Sequence, residues 1–260
     1  MFDYEKNLWG RGVASLNWSN PTAFRLKMSL ASIPQTGKVL ELGCGVGQFI
    51  RAIKKIKPAL ECFGVDISES AIQTAKSLND GVNYELGGDS IPFVDNFFDA
   101  VLIYDVLEHA ENPDKIITEV RRILKSGGIF YLFVPCEGDI LSVWNFLKKI
   151  GVGKNLTKKY AGHINYFTRR DIYNILKRYD FNIISKRFSE HLFGQKIGVL
   201  SFFLMDSYAR RHSLNQINNE DYYSKVKFGF LKKIINSLIY LESWLFQHVP
   251  SPNVHIICQK

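Results

Sequence analysis

Residues 39–49, Val-Leu-Glu-Leu-Gly-Cys-Gly-Val-Gly-Gln-Phe, constrain this chain more than any other stretch. Val39 to Leu42 is a short apolar run, the mark of a buried strand. Gly43, Gly45 and Gly47 follow at alternate positions; without a Cβ they permit a tight turn and let a ligand approach the backbone closely. Gln48 to Lys57 then reads as a helix. A strand, a glycine turn and a helix open a nucleotide-binding βαβ unit. The spacing here is Gly-x-Gly-x-Gly, which departs from the Gly-x-Gly-x-x-Gly fingerprint of dinucleotide sites.

The alternation continues downstream. Strands are expected at 38–42, 60–65, 82–86, 98–104, 129–134, 181–188 and 254–258. Helices are expected at 69–78, 114–125, 139–150 and 169–179. Ser68 reads as the cap of the first of these. Asn112-Pro113 starts the second and Gly127-Gly128 stops it, while Thr168 and Asp171 form a capping pattern before the last. This order predicts an α/β fold, a doubly wound, mostly parallel sheet of seven strands with a helical insertion before the last. The chain divides into a helical cap over 1–36, a core over 37–190, an apolar-basic insertion over 191–250 and a final strand of the core over 251–260.

Ligands of such sheets bind at the carboxyl ends of the strands. Asp66 closes the second strand in Phe63-Gly64-Val65-Asp66-Ile67, 25 positions after Glu41. That is near the roughly 20-residue offset of a ribose-binding acid. The plainer reading of Asp66 is a charge at a helix N-terminus.

Composition narrows the setting. Cys44, Cys62, Cys136 and Cys258 are scattered without a Cys-x-x-Cys pair, which favours free thiols in a reducing, cytoplasmic setting. The start, Met1-Phe2-Asp3-Tyr4-Glu5, lacks the basic-then-apolar pattern of a secretory signal. No apolar run approaches the roughly 18 residues of a spanning helix. The net charge of +8, from 33 basic and 25 acidic residues, suits nucleic acid, an anionic membrane surface, an acidic substrate or merely a solvated basic surface.

From about residue 37 to 136 the motifs resemble, in order, those of class I S-adenosylmethionine-dependent methyltransferases. The run Tyr104-Asp105-Val106-Leu107-Glu108-His109, with Asn112-Pro113 and Leu124-Lys125-Ser126-Gly127-Gly128, is similar to the type 11 group that contains the ubiquinone and menaquinone biosynthesis methyltransferases. The resemblance implies a Rossmann-like methyltransferase fold with S-adenosyl-L-methionine as cofactor. The glycine loop would take the methionine end at the helix start, and Glu41 would meet its amino group. Asp66 and Ile67 would line the ribose, Asp89 and Ser90 the adenine, and Tyr104 the same cleft. Asn20-Pro21-Thr22-Ala23-Phe24-Arg25-Leu26 resembles the Asn-Pro-x-Arg-Leu segment of quinone O-methyltransferases with two extra residues, which makes Arg25 a candidate partner for the cofactor carboxylate. Tyr4 and Trp9 are candidates to cap the site.

Gly162-His163-Ile164-Asn165-Tyr166-Phe167-Thr168 resembles an acceptor-facing loop of the same group. His163 is the expected general base, because imidazole titrates near neutral pH. His109 reads as structural. Asp105-Glu108-His109 is too generic a spacing to invoke a metal, and none is expected. The Asn/Asp-Pro-Pro-Tyr/Phe stretch of enzymes that methylate base amines or glutamine is absent after strand four, which favours oxygen or carbon acceptors. Phe228, Leu231, Ile234, Ile235, Leu238, Ile239, Leu241, Leu245 and Phe246 recur at helical spacing beside Lys225, Lys227, Lys232 and Lys233. Such a helix serves as a lid, as a dimer surface or as a peripheral membrane contact. The expected activity is methyl transfer, at oxygen, to a small-molecule, lipid-linked or glycan acceptor, by a monomer or homodimer. An RNA methyltransferase and a non-catalytic cofactor-binding protein are the competing readings, and nucleic acid is the weaker partner class.

Overall fold

The computed structural model describes residues 3–88, 90–153, 155–214, 217, 221–222 and 229–260. Seven strands form one sheet: β1 (Gly37–Leu42), β2 (Leu60–Asp66), β3 (Asn83–Leu86), β4 (Phe98–Tyr104), β5 (Leu124–Pro135), β6 (Asn182–Ser189) and β7 (Asn253–Gln259). Their order is β3-β2-β1-β4-β5-β7-β6. The first five run parallel, and β7 is antiparallel to both β5 and β6. Strand order reverses between β1 and β4, so a crevice opens at their carboxyl ends.

Helices cover both faces because side chains alternate across each strand. Val39, Cys62, Ala100, Leu102 and Phe133 pack with Leu26 of α1 (Ala23–Ser32), Ile50 and Ile53 of α2 (Gln48–Ile56) and Ile72 of α3 (Glu69–Ser77). Leu40, Val65, Val101, Ile103 and Leu132 pack the other way, with Ile117 and Val120 of α4 (Pro113–Ile123) and with Ile172 and Leu176 of α7 (Arg169–Arg178). Two short helices, α5 (Val143–Lys149) and α6 (Leu156–Tyr160), lie between β5 and α7.

Two local expectations change. Among the described residues the 1–36 cap is helical only in α1; residues 3–22 run as turns and irregular backbone. Arg51 explains part of this: its guanidinium takes the carbonyls of Gly10, Arg11 and Gly12, which a helix would need for itself. Helix α4 ends at Ile123, ahead of Gly127, and Leu124 is already extended at the start of β5. Gly127, at φ +73°, lies where the β4–β5 register shifts between Phe98 and Ala100. The basic 151–162 stretch contains α6.

The insertion supplies α8 (Leu192–Arg211) and α9 (Gly229–Phe246). The Glu242 carboxylate of α9 accepts from Phe193 N at 2.7 Å and Gly194 N at 2.9 Å, in the first turn of α8. Tyr240 stacks on Trp18 at 5.4 Å, which ties α9 to the N-terminal segment. Lys225, Lys227 and Phe228 lie outside the described residues. Among the described residues no helix is long and apolar enough to cross a membrane.

Candidate functional site

The glycine loop is pinned to the sheet before anything binds. Gly43 N and Cys44 N both donate to Val65 O of β2, at 2.7 and 3.0 Å. Gly43, Gly45 and Gly47 have φ of +75°, +52° and +88°, which side chains rarely adopt. Their missing Cβ atoms also make room: one at Gly43 would strike Val106, one at Gly45 the Trp9 carbonyl, and one at Gly47 the Tyr84 hydroxyl.

Asp66 holds the rim of this loop. Its Oδ2 accepts from Gly45 N at 2.7 Å and its Oδ1 from Ser68 N at 2.9 Å. Ser68 in turn caps α3, accepting from Ala71 N. Burial raises the Asp66 pKa, while the Ser68 and Gly45 amides pull it back. Ile67 stands beside it, 59% exposed. Ser90 is exposed on the same side of the sheet, after β3, and Asp89 lies outside the described residues.

Glu41 sits under the loop at 2% exposure. Its Oε2 accepts from Ile50 N at 2.7 Å, the third amide of α2, whose own N-cap Gly47 has no side chain to offer. Burial pushes its pKa up to about 8. The carboxylate thus has a structural partner, and a role toward a cofactor amino group stays a proposal.

Two further expected cofactor contacts already have partners within the protein. The Tyr104 ring is stacked on Phe49 at 4.0 Å and tilted against Tyr131, inside the core, because residue 104 falls on the α2 side of its strand. Only its backbone lies at the strand end. Arg25 is committed to carboxylates: it pairs with Asp105, reaches Glu190 at 3.4 Å and lies over the Phe133 ring at 4.0 Å. Burial disfavours its charge, but Asp105 and Glu190 outweigh that and raise its pKa. A cofactor carboxylate would have to displace both acids.

The acceptor side is assembled by long-range contacts. Glu108 and His109 lie on a one-turn helix after β4, and the 162–167 loop is laced onto it. The Glu108 carbonyl accepts from Ile164 N and Asn165 N, and Asn165 Nδ2 donates to the Leu107 and Ala110 carbonyls. This brings the His163 ring to 4.9 Å from His109. His163 Nδ1 lies 2.7 Å from Oε1 of Glu137, which follows β5. Lys148 and Thr157 donate to the other Glu137 oxygen, at 2.7 and 3.0 Å. Burial pushes the Glu137 carboxyl up, but His163 and Lys148 outweigh it and hold it down at about 2. Burial, helped by His163, pushes His109 down to about 3, so its ring is neutral.

Glu108 is the outlier. Its side chain is fully buried, and among the described residues neither carboxylate oxygen has a hydrogen-bond partner; His109 Nδ1 is buried and finds none among them either. Burial, reinforced by the charges of Asp105 and Glu137, raises the Glu108 pKa well above the usual carboxylate range. Glu108, His109 and His163 each place a potential ligand atom within 4.8 Å of the others. Sequence reasoning set this acid aside because the pair Glu108-His109 means little without His163, 54 positions later. Glu137 and Asn165 were missed for the same reason.

The N-terminal segment ties the two halves together. Glu5 accepts from Glu69 N, Ser70 N and Ser70 Oγ at the start of α3. Trp9 O accepts from Val46 N in the glycine loop at 2.8 Å. Between them Tyr4 meets His109 edge-on at 6.0 Å. Burial, then the nearby charges of Glu108 and Asp66, push the Tyr4 hydroxyl up to about 12. One tyrosine therefore sees the acid of each half.

Known proteins are similar to this chain in sequence and in fold. Residues 19–186, more than half of the chain, match a family profile described as a methyltransferase domain. An uncharacterized protein of Methanocaldococcus jannaschii is 34% identical over 149 residues, 57% of this chain and 66% of that one. A ubiquinone/menaquinone biosynthesis C-methyltransferase of Desulfotalea psychrophila is 29% identical over 107 residues, 40% of this chain and 44% of the enzyme. The matched stretches span less than two thirds of these relatives. The solved [4+2]-cyclase SpnF shares the fold, at 17% identity and a TM-score of 0.60 over 98% of this chain and 86% of that one. The chain belongs to the methyltransferase-domain family, in the type 11-like group of class I S-adenosylmethionine-dependent methyltransferases.

Proposed function

We propose that the protein uses S-adenosyl-L-methionine to methylate an oxygen of a small-molecule, lipid-linked or glycan acceptor. The observation that carries this is the adjacency of two unlike sites beneath one strap: the Asp66–glycine-loop rim on one side of Tyr4, and the buried Glu108, His109 and His163 on the other.

The residues present fit the cofactor. The half-buried Asp66 carboxylate suits ribose hydroxyls, the exposed Ile67 offers an apolar face to a base, and the glycine loop leaves space where side chains would stand. Glu41 lies in β1, just before the loop, where an amino group would be received. When bound, S-adenosyl-L-methionine supplies a methyl group activated by the sulfonium. The protein's task is then to position an acceptor and exclude water. Glu5, Tyr4 and Trp9 close one side for that purpose. His163, fixed through Nδ1 by Glu137, offers its other ring nitrogen to take an acceptor's hydroxyl proton.

The exposed apolar residues of α9, among them Phe230, Leu238 and Leu245, support a hydrophobic or lipid-linked acceptor and a peripheral membrane contact. Carbon is the competing acceptor atom, because a relative carries the name C-methyltransferase. The test is transfer of labelled methyl from S-adenosyl-L-methionine to extracts fractionated into lipid, glycan and RNA, followed by mass analysis of the labelled product. An O-methyl product in the lipid or glycan fraction is expected. Label confined to RNA or to a C-methyl product overturns the oxygen reading, and no label in any fraction overturns the enzyme reading.

A further inference from the structure

We infer that Glu108, His109 and His163 bind one divalent transition-metal ion, and that this ion holds the hydroxyl oxygen to be methylated. The inference rests on the oxygen-methylation reading and reassigns His163 from base to ligand.

The first argument is the state of Glu108. A fully buried carboxylate with both oxygens unpartnered is costly, and native structures rarely leave one so. Among the described residues, its only ion-pair partner within 4.0 Å is His109 at 3.8 Å. No lysine or arginine comes to it, although Lys148 serves Glu137 and Arg25 serves Asp105 nearby. A cation between Glu108 and the two rings satisfies the acid and meets the His109 Nε2 that already faces it.

The second argument is the support behind His163. Glu137 engages Nδ1 at 2.7 Å and is itself held by Lys148 and Thr157. That leaves Nε2 as the free ring nitrogen, in the carboxylate–histidine arrangement that orients metal ligands. The three ligand atoms already lie within 4.8 Å of one another. Small ring rotations bring them to the roughly 2.0–2.2 Å bonds of such ions.

Two imidazoles and one carboxylate leave coordination positions open and favour zinc, manganese, cobalt or iron(II) over calcium and magnesium. An ion there lowers the pKa of a hydroxyl bound to it. The hydroxyl proton leaves to water, the oxygen forms a bond to the methyl carbon, the carbon–sulfur bond breaks, and its electron pair stays on sulfur as the neutral thioether.

The test is titration of chelator-treated full-length protein with cobalt(II), read by visible absorption and calorimetry, with magnesium as a control. One cobalt(II) per chain is expected, together with a cobalt-dependent, magnesium-independent rise in the thermal midpoint. Glu108→Gln and His163→Ala are expected to weaken binding at least 30-fold. Glu137→Gln, acting through His163, is expected to weaken it roughly 10–100-fold. Absence of cobalt binding by the wild-type chain, or equal affinity in all variants, overturns the site. The wild-type thermal shift keeps the test decisive if Glu108→Gln does not fold. Turnover that survives chelation overturns the ion's role while leaving the methylation reading intact. Ion binding without methylation of any acceptor oxygen overturns the reading on which that role rests.

Discussion

Two buried glutamates, one beneath each half of the cleft, are treated differently by the fold. Glu41 is 2% exposed and is met by the Ile50 amide of the helix that its own loop begins. Glu108 is 0% exposed and is met by no hydrogen-bond donor among the described residues. The first finds its donor within ten residues of chain, in the helix that follows its own loop. The second gains its neighbours only when the 137 and 163 segments arrive. The demand of Glu41 is thus met locally, whereas the acceptor half is a long-range assembly with an unmet electrostatic demand.

The largest expected effect tests the Glu41 side. Burial raises its pKa from an ordinary 4.5 to about 8. Between those values the folded protein keeps a proton that the unfolded chain has lost. Stability therefore falls as pH rises through that window, by up to about 5 kcal/mol from this one group. Glu41→Gln keeps an acceptor for Ile50 N and cannot ionise. Urea midpoints at pH 5.5 and 8.5 are expected to differ much less in the variant than in the wild type. A residual slope of the same sign is expected from Glu108 and Asp66, whose pKa values burial also raises. Equal slopes in both proteins would show that Glu41 ionises freely and that the loop is looser than drawn.

Next in size is the loss of Asp66. A charged acceptor contributes about 1.5–3 kcal/mol per bound partner, so Asp66→Ala is expected to weaken S-adenosyl-L-methionine binding roughly 10–100-fold by calorimetry. On the other half, Glu137→Gln should leave that affinity within about twofold and lower turnover roughly tenfold or more, because His163 loses its charged orienting partner. A Glu137 variant that loses cofactor affinity, or an Asp66 variant that loses only turnover, would erase the division between the halves.

The same division explains what could be read in the sequence. Six of the seven strands were expected within one residue of their observed bounds, while β5 begins at Leu124, ahead of the apolar run expected at 129–134. Ser68 and the Thr168–Asp171 pair cap their helices as anticipated. The glycine loop was legible because its three glycines stand together in sequence, and Asp66 because it closes the neighbouring strand. The present partners of Arg25, Asp105 and Glu190, lie 80 and 165 positions away and no local pattern announces them. The Tyr104 ring turns into the core although its residue ends a strand. The Glu108–His109–His163 grouping needed the loop contacts of Asn165, which no spacing rule announces.

The smallest expected effect lies on α9, outside both halves. Phe230, Ile234, Leu238, Leu241 and Leu245 follow one another at helical spacing and are all exposed, whereas Tyr240 on the other side is buried against Phe24. A side chain already in water loses little when it becomes polar, so Leu241→Ser with Leu245→Ser should change the unfolding free energy by less than about 0.5 kcal/mol each. The same pair should weaken sedimentation with anionic vesicles if the stripe meets a membrane, because insertion gains from buried apolar area. A larger stability loss that grows with protein concentration would mean instead that the stripe is covered by a second copy. The helix would then belong to an interface. That outcome would put a third region beside the two halves of the cleft, one whose chemistry is completed by another chain rather than by a ligand.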